Sequence, residues 1–310
     1  MKICHSKSRK GQSTVSQSRL GVFEPTRRRL GERKQFTISG VWGTATITGR
    51  LTQRHRDLLD VLPEATVQQA QTPDGCRHLL VDPHRLRMAL GRRRGEKVPT
   101  TQAIGLLEDL TEALVEIRTT SGLVCLGHIF DEALYRAREV ANEAGARLPA
   151  GTKKTVRARP ERTLWRVKVA AGWTRFIAQD LAYSYDIEKV MALQHGVSAA
   201  IARLLLTHRS SPIPTGVETV LTQVGIPAGE CQARWNARRR LCADRDGLRD
   251  LGISLDAKAG MLRLDGGSLP QIPHTPATDS PYSCHKFPIC CHRFPICCHR
   301  FPGALGFIGH

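Results

Sequence analysis

The chain has 310 residues and carries 46 Lys+Arg against 28 Asp+Glu, a formal charge of +18. That balance points to a polyanionic partner, nucleic acid before an anionic membrane surface. No run of about 18 apolar residues occurs and the N-terminus MKICHSKSRKGQS has no apolar h-region, so neither a membrane span nor a signal peptide is expected. Of ten cysteines, five (Cys284, Cys290, Cys291, Cys297 and Cys298) sit in one terminal repeat. The rest are scattered, so reduced thiols in a cytoplasm are expected rather than a disulfide framework.

Residues 1–36 hold ten Lys/Arg and two acids, Glu24 and Glu32, with few apolar residues. They read as a basic, partly disordered arm, either a phosphate-binding extension or a solubilising tail. Order is expected from Phe36. TISGVWGTATITGRL is rich in β-branched residues and reads as strand. Thr52 then caps a helix with Leu58, Leu59 and Leu62 inward. A short strand at residues 78–81 passes through Asp82 (cap) and Pro83 (first turn) into a helix ending at Gly91. A basic loop with Arg92, Arg93, Arg94 and Lys97 follows, offering phosphate contacts. Thr100 or Thr101 opens a third helix, and a hairpin turns at Thr120-Ser121-Gly122. This order of elements is that of a winged-helix domain over residues 37–135. Its third helix, read as residues 100–116, carries Glu108, Asp109, Glu112 and Glu116 and no base. DNA phosphates repel such a helix, so it is expected to meet protein, a second copy of the chain included.

Residues 136–162 are rich in Ala, Gly and charge and read as a basic linker, with Lys153 and Lys154 as further phosphate contacts. The GTKKT within it lacks the spacing of a phosphate-binding loop. LWRVKVAAGWTRFIA reads as strand, turn and strand, with Leu164, Val167 and Val169 contributing apolar surface. A helix capped by Ser198, a second opened by Thr215 and closed by Gly225, a third over residues 229–252 and a hairpin containing Lys258 and Gly260 complete a second winged-helix domain, residues 163–265.

That third helix is the most informative stretch. At about 100° per residue, Ala233, Ala237, Leu241, Leu248 and Leu251 fall on one side and Trp235, Arg238, Arg239, Cys242 and Arg249 on the other. A helix with one apolar and one cationic face suits the DNA major groove, and the same charge pattern also fits a solvated surface. Its place before a hairpin favours the groove. Trp235, Arg238 and Arg239 are the expected groove-facing residues, Arg234 and Arg240 the flanking phosphate contacts, and Lys258 and Arg263 the contacts from the wing. No His-x-His accompanies the Tyr183/Tyr185 pair, which reads as packing rather than as a nucleophile. No paired carboxylates suggest an active site, so no enzymatic activity and no cofactor are expected. Residues 266–310 read as a disordered tail in which CHKFPIC, CHRFPIC and CHRFP repeat. The spacing does not match a zinc site. Seven codons are 21 nucleotides, about two turns of B-DNA, so the tail also reads as translated repeat DNA carrying binding sites.

The stretches LWRVKVAAGWTRFIAQDLAYSYD, VSAAIARLLLTH and ECQARWNARRRLCADRDGLRDLGISLD, with SRLGVFEPTRRRLGERKQF and GRLTQRHRDLLDVL nearer the N-terminus, resemble plasmid replication initiators with two winged helices, most of all the IncQ type. The resemblance spans roughly residues 18–265. It implies an α+β protein of two tandem winged-helix domains that binds direct repeats (iterons) in double-stranded DNA at a replication origin. It also implies origin opening, recruitment of a host replicative helicase or its loader, a monomer–dimer switch, and a bacterial cytoplasmic location with nucleoid or plasmid. A transcriptional repressor with the same reading head is the alternative, and an interaction scaffold that does not bind DNA is a third.

Overall fold

The computed structural model describes residues 10–28, 31–32, 34–91, 95–134, 164–208 and 213–265. All belong to one unit, Met1–Leu269. The expected linker (136–162), Arg92 to Arg94, Lys153, Lys154 and the repeat tail lie outside the described residues.

The unit is α+β. It opens with strand β1 (Lys10–Thr14) and helix α1 (Val15–Arg19), then the hairpin β2 (Lys34–Gly40) and β3 (Gly43–Gly49). Helix α2 (Gln53–Ala65) begins where the sequence places it. Thr52 Oγ1 accepts the Arg54 N–H, and His55 Nδ1 accepts the Thr52 N–H, a histidine doing the work of the usual glutamate in a capping box. Strands β4 (Thr66–Gln71) and β5 (Arg77–Val81) lead to α3 (Pro83–Ala89), capped by the Asp82 carboxylate on the His84 and Arg85 amides. Helix α4 (Thr100–Glu112) has Pro99 at its N-cap and no side-chain cap, so neither threonine serves as one. It is shorter than expected: Glu116 lies in β6 (Leu114–Thr119), which pairs with β7 (Val124–His128). Strands β8 (Phe130–Leu134) and β9 (Trp165–Val169) follow.

Two antiparallel four-stranded sheets, β2-β3-β6-β7 and β4-β5-β9-β8, carry this half. Their pairings correct the expected division at residue 163. Trp165–Val169 lies between β5 and β8, with Leu79 opposite Val167, so it completes a sheet begun far earlier in the chain. The expected strand after it is helix α5 (Ala171–Gln179). Trp173 and Phe176 are buried three residues apart on one face of that helix, a spacing no strand provides.

The expected arm is also corrected. Strand β10 (Ala182–Asp186) pairs with β1 in register from Lys10 opposite Asp186 to Thr14 opposite Ala182. Leu20, Val22 and Phe23 are buried in the core, and a few apolar residues suffice when the surface they cover is built from elsewhere in the chain.

Helices α6 (Ile187–Ala192) and α7 (Gly196–Leu206) open the second half. Ser198 does not cap α7; it is inside the helix. The amides of Gln194 and His195 are instead taken by the Asp244 carboxylate at 2.8 and 2.9 Å. A Cβ at Gly196 would stand 2.4 Å from the Thr26 backbone, so only glycine lets the N-terminal segment cross here. Next come β11 (Thr215–Gly216), α8 (Val217–Gln223), α9 (Cys231–Ala243), α10 (Arg245–Asp250), β12 (Ile253–Asp256) and β13 (Met261–Leu264), with sheet order β11-β13-β12. The single helix expected over 229–252 is thus two, broken at Asp244, whose carboxylate is committed to α7. Among the described residues no helix is long and apolar enough to cross a membrane.

Candidate nucleic-acid interface

Helix α9 divides as its sequence predicts. Ala237 and Leu241, then Leu248 and Leu251 beyond the break, are buried. Trp235, Arg238, Arg239 and Arg240 are exposed, as are Cys231 and Cys242 along the same side. The Arg239 guanidinium lies 5.4 Å from the centre of the Trp235 ring, a cation–π pair that holds both side chains toward solvent.

Arg234 departs from expectation. It is 8 % exposed and cannot reach a phosphate. Its Nε donates to Pro227 O at 2.9 Å, and its Nη atoms donate to Thr222 Oγ1 and Glu218 Oε2, both at 2.5 Å, and to Ile226 O at 3.1 Å. It therefore fixes α9 onto α8 and the turn between them. The helical wheel left it between the two faces, and its partners lie 7 to 16 residues away, so no periodic signal announces it.

Glu218, a residue the sequence did not single out, also holds Arg238. Arg238 Nε and Nη2 both stand 2.6 Å from Glu218 Oε1. The hydrogen bond from Arg238 is the main cause that keeps the Glu218 carboxyl below its usual value, with Arg234 adding to it. Arg238 remains half exposed, aimed along the face by a carboxylate it can leave.

The hairpin β12–β13 presents Lys258 and Arg263 to solvent. Asp256 Oδ1 accepts the amides of Lys258 and Ala259, each at 2.9 Å, which shapes the turn from which Lys258 projects. In the first half Lys97 is exposed, while the neighbouring Val98 is pinned by Arg87 Nε donating to its carbonyl at 2.7 Å. The acidic α4 is partly internal. Asp109 is buried, its carboxylate 3.2 Å from His55 Nε2, whereas Glu108 and Glu112 are exposed.

A second arginine cluster, unannounced in the sequence, is internal. Arg203 of α7 places Nη2 2.7 Å from Asp57 Oδ1 and 3.1 Å from Asp60 Oδ2, and donates to Gln53 Oε1 at 2.7 Å and to the Tyr185 hydroxyl at 3.1 Å. Arg27 reaches Asp57 at 2.5 Å, Arg54 stands 3.5 Å from it, and Arg56 stands 3.2 Å from Asp60. Burial pushes the Asp57 carboxyl up, but Arg27, Arg203 and Arg54 together outweigh it and hold it at about 2. Tyr185 donates to Asp60 and stacks on Tyr183 at 5.4 Å. Burial raises both phenols well away from ionisation at neutral pH. Tyr185 is buried within the charge network and Tyr183 is half-buried beside it. Among the described residues no three His, Cys, Asp or Glu side chains converge as a metal site requires.

No family model matches the chain, and no curated protein matches it. Among solved structures it is similar to the crystal structure of RctB domains 2-3, with a TM-score of 0.43 and 12% identity, covering 78% of this chain and 92% of that one. At that TM-score the likeness decides nothing about what this chain does.

Proposed function

We propose that the protein is a non-enzymatic, sequence-specific binder of double-stranded DNA, and that it initiates replication at a plasmid origin by binding direct repeats there. The observation that carries the reading is the exposed Trp235–Arg238–Arg239–Arg240 face of α9, anchored from beneath by Arg234. The order α7, β11, α8, α9, β12, β13 with the β11-β13-β12 sheet supports a winged helix, in which α9 enters the major groove and the hairpin lies along the backbone. Arg238 and Arg239 present guanidiniums that can bind guanine in the groove, while Arg240, Lys258 and Arg263 meet phosphate. Lys97 and the arginines at 92–94 add phosphate contacts from the first half. That half, whose α4 turns Glu108 and Glu112 outward, is assigned to protein: a second copy, or the host helicase or its loader.

Fluorescence anisotropy with origin repeats and with random duplex tests the binding claim. Lys258→Ala should weaken both equally and reduce the salt slope by about one; equal affinity of the wild type for both DNAs would remove the sequence-specific reading. Supplying the gene in trans to a plasmid lacking its initiator tests the biological claim. Restored replication supports initiation, and promoter silencing without replication selects the repressor.

A further inference from the structure

The β2–β3 hairpin belongs by its pairing to the first half, where β3 runs in register with β6 from Gly43 opposite Thr119 to Thr48 opposite Leu114. Its tip is fixed there. A Cβ at Gly43 would stand 2.1 Å from Arg118 O, and the Thr120 N–H donates to Trp42 O at 3.0 Å. Yet two side chains of the hairpin reach the second half. Trp42 packs against the Arg19 guanidinium, 4.0 Å from the ring centre, and Arg19 Nε donates to Thr207 Oγ1 at 3.0 Å, at the C-terminus of α7. Ile38 turns away from the exposed side of β2, which carries Thr37 and Ser39, and meets the end of α8. A Cβ at Gly225 would stand 3.1 Å from Ile38 Cδ1, and one at Gly21 would stand 3.0 Å from the same atom. Both glycines have left-handed φ values, 92° and 60°, so bare backbone at two points forms the seat of Ile38.

The turn beneath Ile38 is the one that holds α9. The Gly225 N–H donates to Thr222 O at 3.0 Å and the Ile226 N–H to Leu221 O at 2.9 Å, the Schellman pattern that closes α8. Arg234 then donates to Ile226 O at 3.1 Å and to Pro227 O at 2.9 Å, the two carbonyls that follow Gly225. Contacts therefore run from Ile38 to Gly225, through the turn to Arg234, and from Arg234 into the helix that carries Trp235, Arg238 and Arg239. Gly225 has no side chain with which to fill the space above it, so the position of the turn follows the residue packed on it. We infer that Ile38 is a positioning residue for the α9 face: wedged against Gly225, it sets the turn and, through Arg234, the pose in which α9 meets DNA, a role that rests on the DNA-binding reading for its last link alone.

The test uses the full chain, first without DNA and then with it. Without DNA, the α9 amides of Ile38→Ala should exchange hydrogen about five- to tenfold faster than in the wild type, while those of β3 and β6 are unchanged. Ile38→Val, a smaller deletion, should give the same pattern at lower amplitude and serves if Ile38→Ala does not fold. With DNA, Ile38→Ala should lower the ratio of cognate to random affinity about three- to tenfold, because a loosened helix presents its guanidiniums less accurately. Val41→Ala, at an exposed site on the same hairpin, should leave exchange and binding as they are. In Arg234→Ala, where the tie from α9 to the turn is already lost, adding Ile38→Ala should speed α9 exchange less than about twofold further. Full additivity there would mean that Ile38 only stabilises the fold and would overturn the proposal. So would unchanged α9 exchange in Ile38→Ala, acceleration shared equally by β3 and β6, or an unchanged affinity ratio beside faster α9 exchange. A wild type that binds cognate and random DNA equally would instead remove the DNA-binding reading, and the exchange measurements would still decide whether Ile38 positions α9.

Discussion

The arginines that surround Asp57 and Asp60 and those that line α9 carry the same charge and meet opposite fates. Arg54, Arg56 and Arg203 are 7%, 1% and 2% exposed, yet each is matched to a carboxylate, amide or carbonyl brought from another part of the chain. Arg238, Arg239 and Arg240 remain in solvent, where a cation costs little and a polyanion can displace the water. Positive charge on this chain is therefore not one property. Part of it welds α2 to α7, and part of it is left for a partner, which a count of Lys+Arg cannot separate.

The largest expected effect breaks the buried side. Asp57→Asn removes the charge that compensates Arg27 and Arg203, and should destabilise the fold by about 3–5 kcal/mol in urea unfolding; a cost below about 1 kcal/mol would show that water reaches the network. Arg234→Ala comes next. It should cost about 2–3 kcal/mol of stability, and at temperatures where it stays folded, DNA affinity should fall less than for Arg238→Ala. If Arg234→Ala instead spares stability and abolishes binding, the residue belongs with the exposed set after all.

The buried side also titrates. Because the folded-state value of Asp57, about 2, lies below its ordinary 3.8, its contribution is complete above pH 4 and is lost as pH falls toward 2. The loss is worth about 2 kcal/mol, and stability measured from pH 5 to pH 2 should show a decline that Asp57→Asn lacks. On the exposed side, Arg238→Ala should weaken cognate DNA by about 1–3 kcal/mol with little change in unfolding. A matched loss on random duplex would make it a phosphate contact. The smallest effect concerns Glu218→Gln. Weakening the carboxylate hold on Arg238 should tighten random DNA a few-fold and so narrow the ratio between cognate and random binding; unchanged affinity for both would mean that Glu218 serves only to seat α9.

Much of the local structure was legible before any fold was known. Thr52 and Asp82 cap the helices assigned to them, Gly122 turns its hairpin at a φ of 88°, and the apolar stripe from Ala237 to Leu251 is buried as its spacing requires. Each of these signals acts over a few residues. What misled was a residue whose partner lies far away. Residues 10–28 read as an arm because β1 is completed by β10, roughly 170 positions on, and the stretch after Val169 read as strand because alternation in a short apolar segment does not distinguish it from a helix packed on a sheet.

The candidate site divides along the same line. Periodicity alone separates the faces of α9 and places Trp235, Arg238 and Arg239 on the cationic one, because a helix repeats every 3.6 residues whatever surrounds it. Tertiary structure alone decides that Arg234 is internal, that Glu218 holds Arg238, and that Asp244 ends the helix to cap another. Those outcomes depend on which carboxylates and carbonyls the fold brings within about 3 Å of a guanidinium or amide, a distance on which hydrogen bonding depends steeply and which sequence separation does not encode.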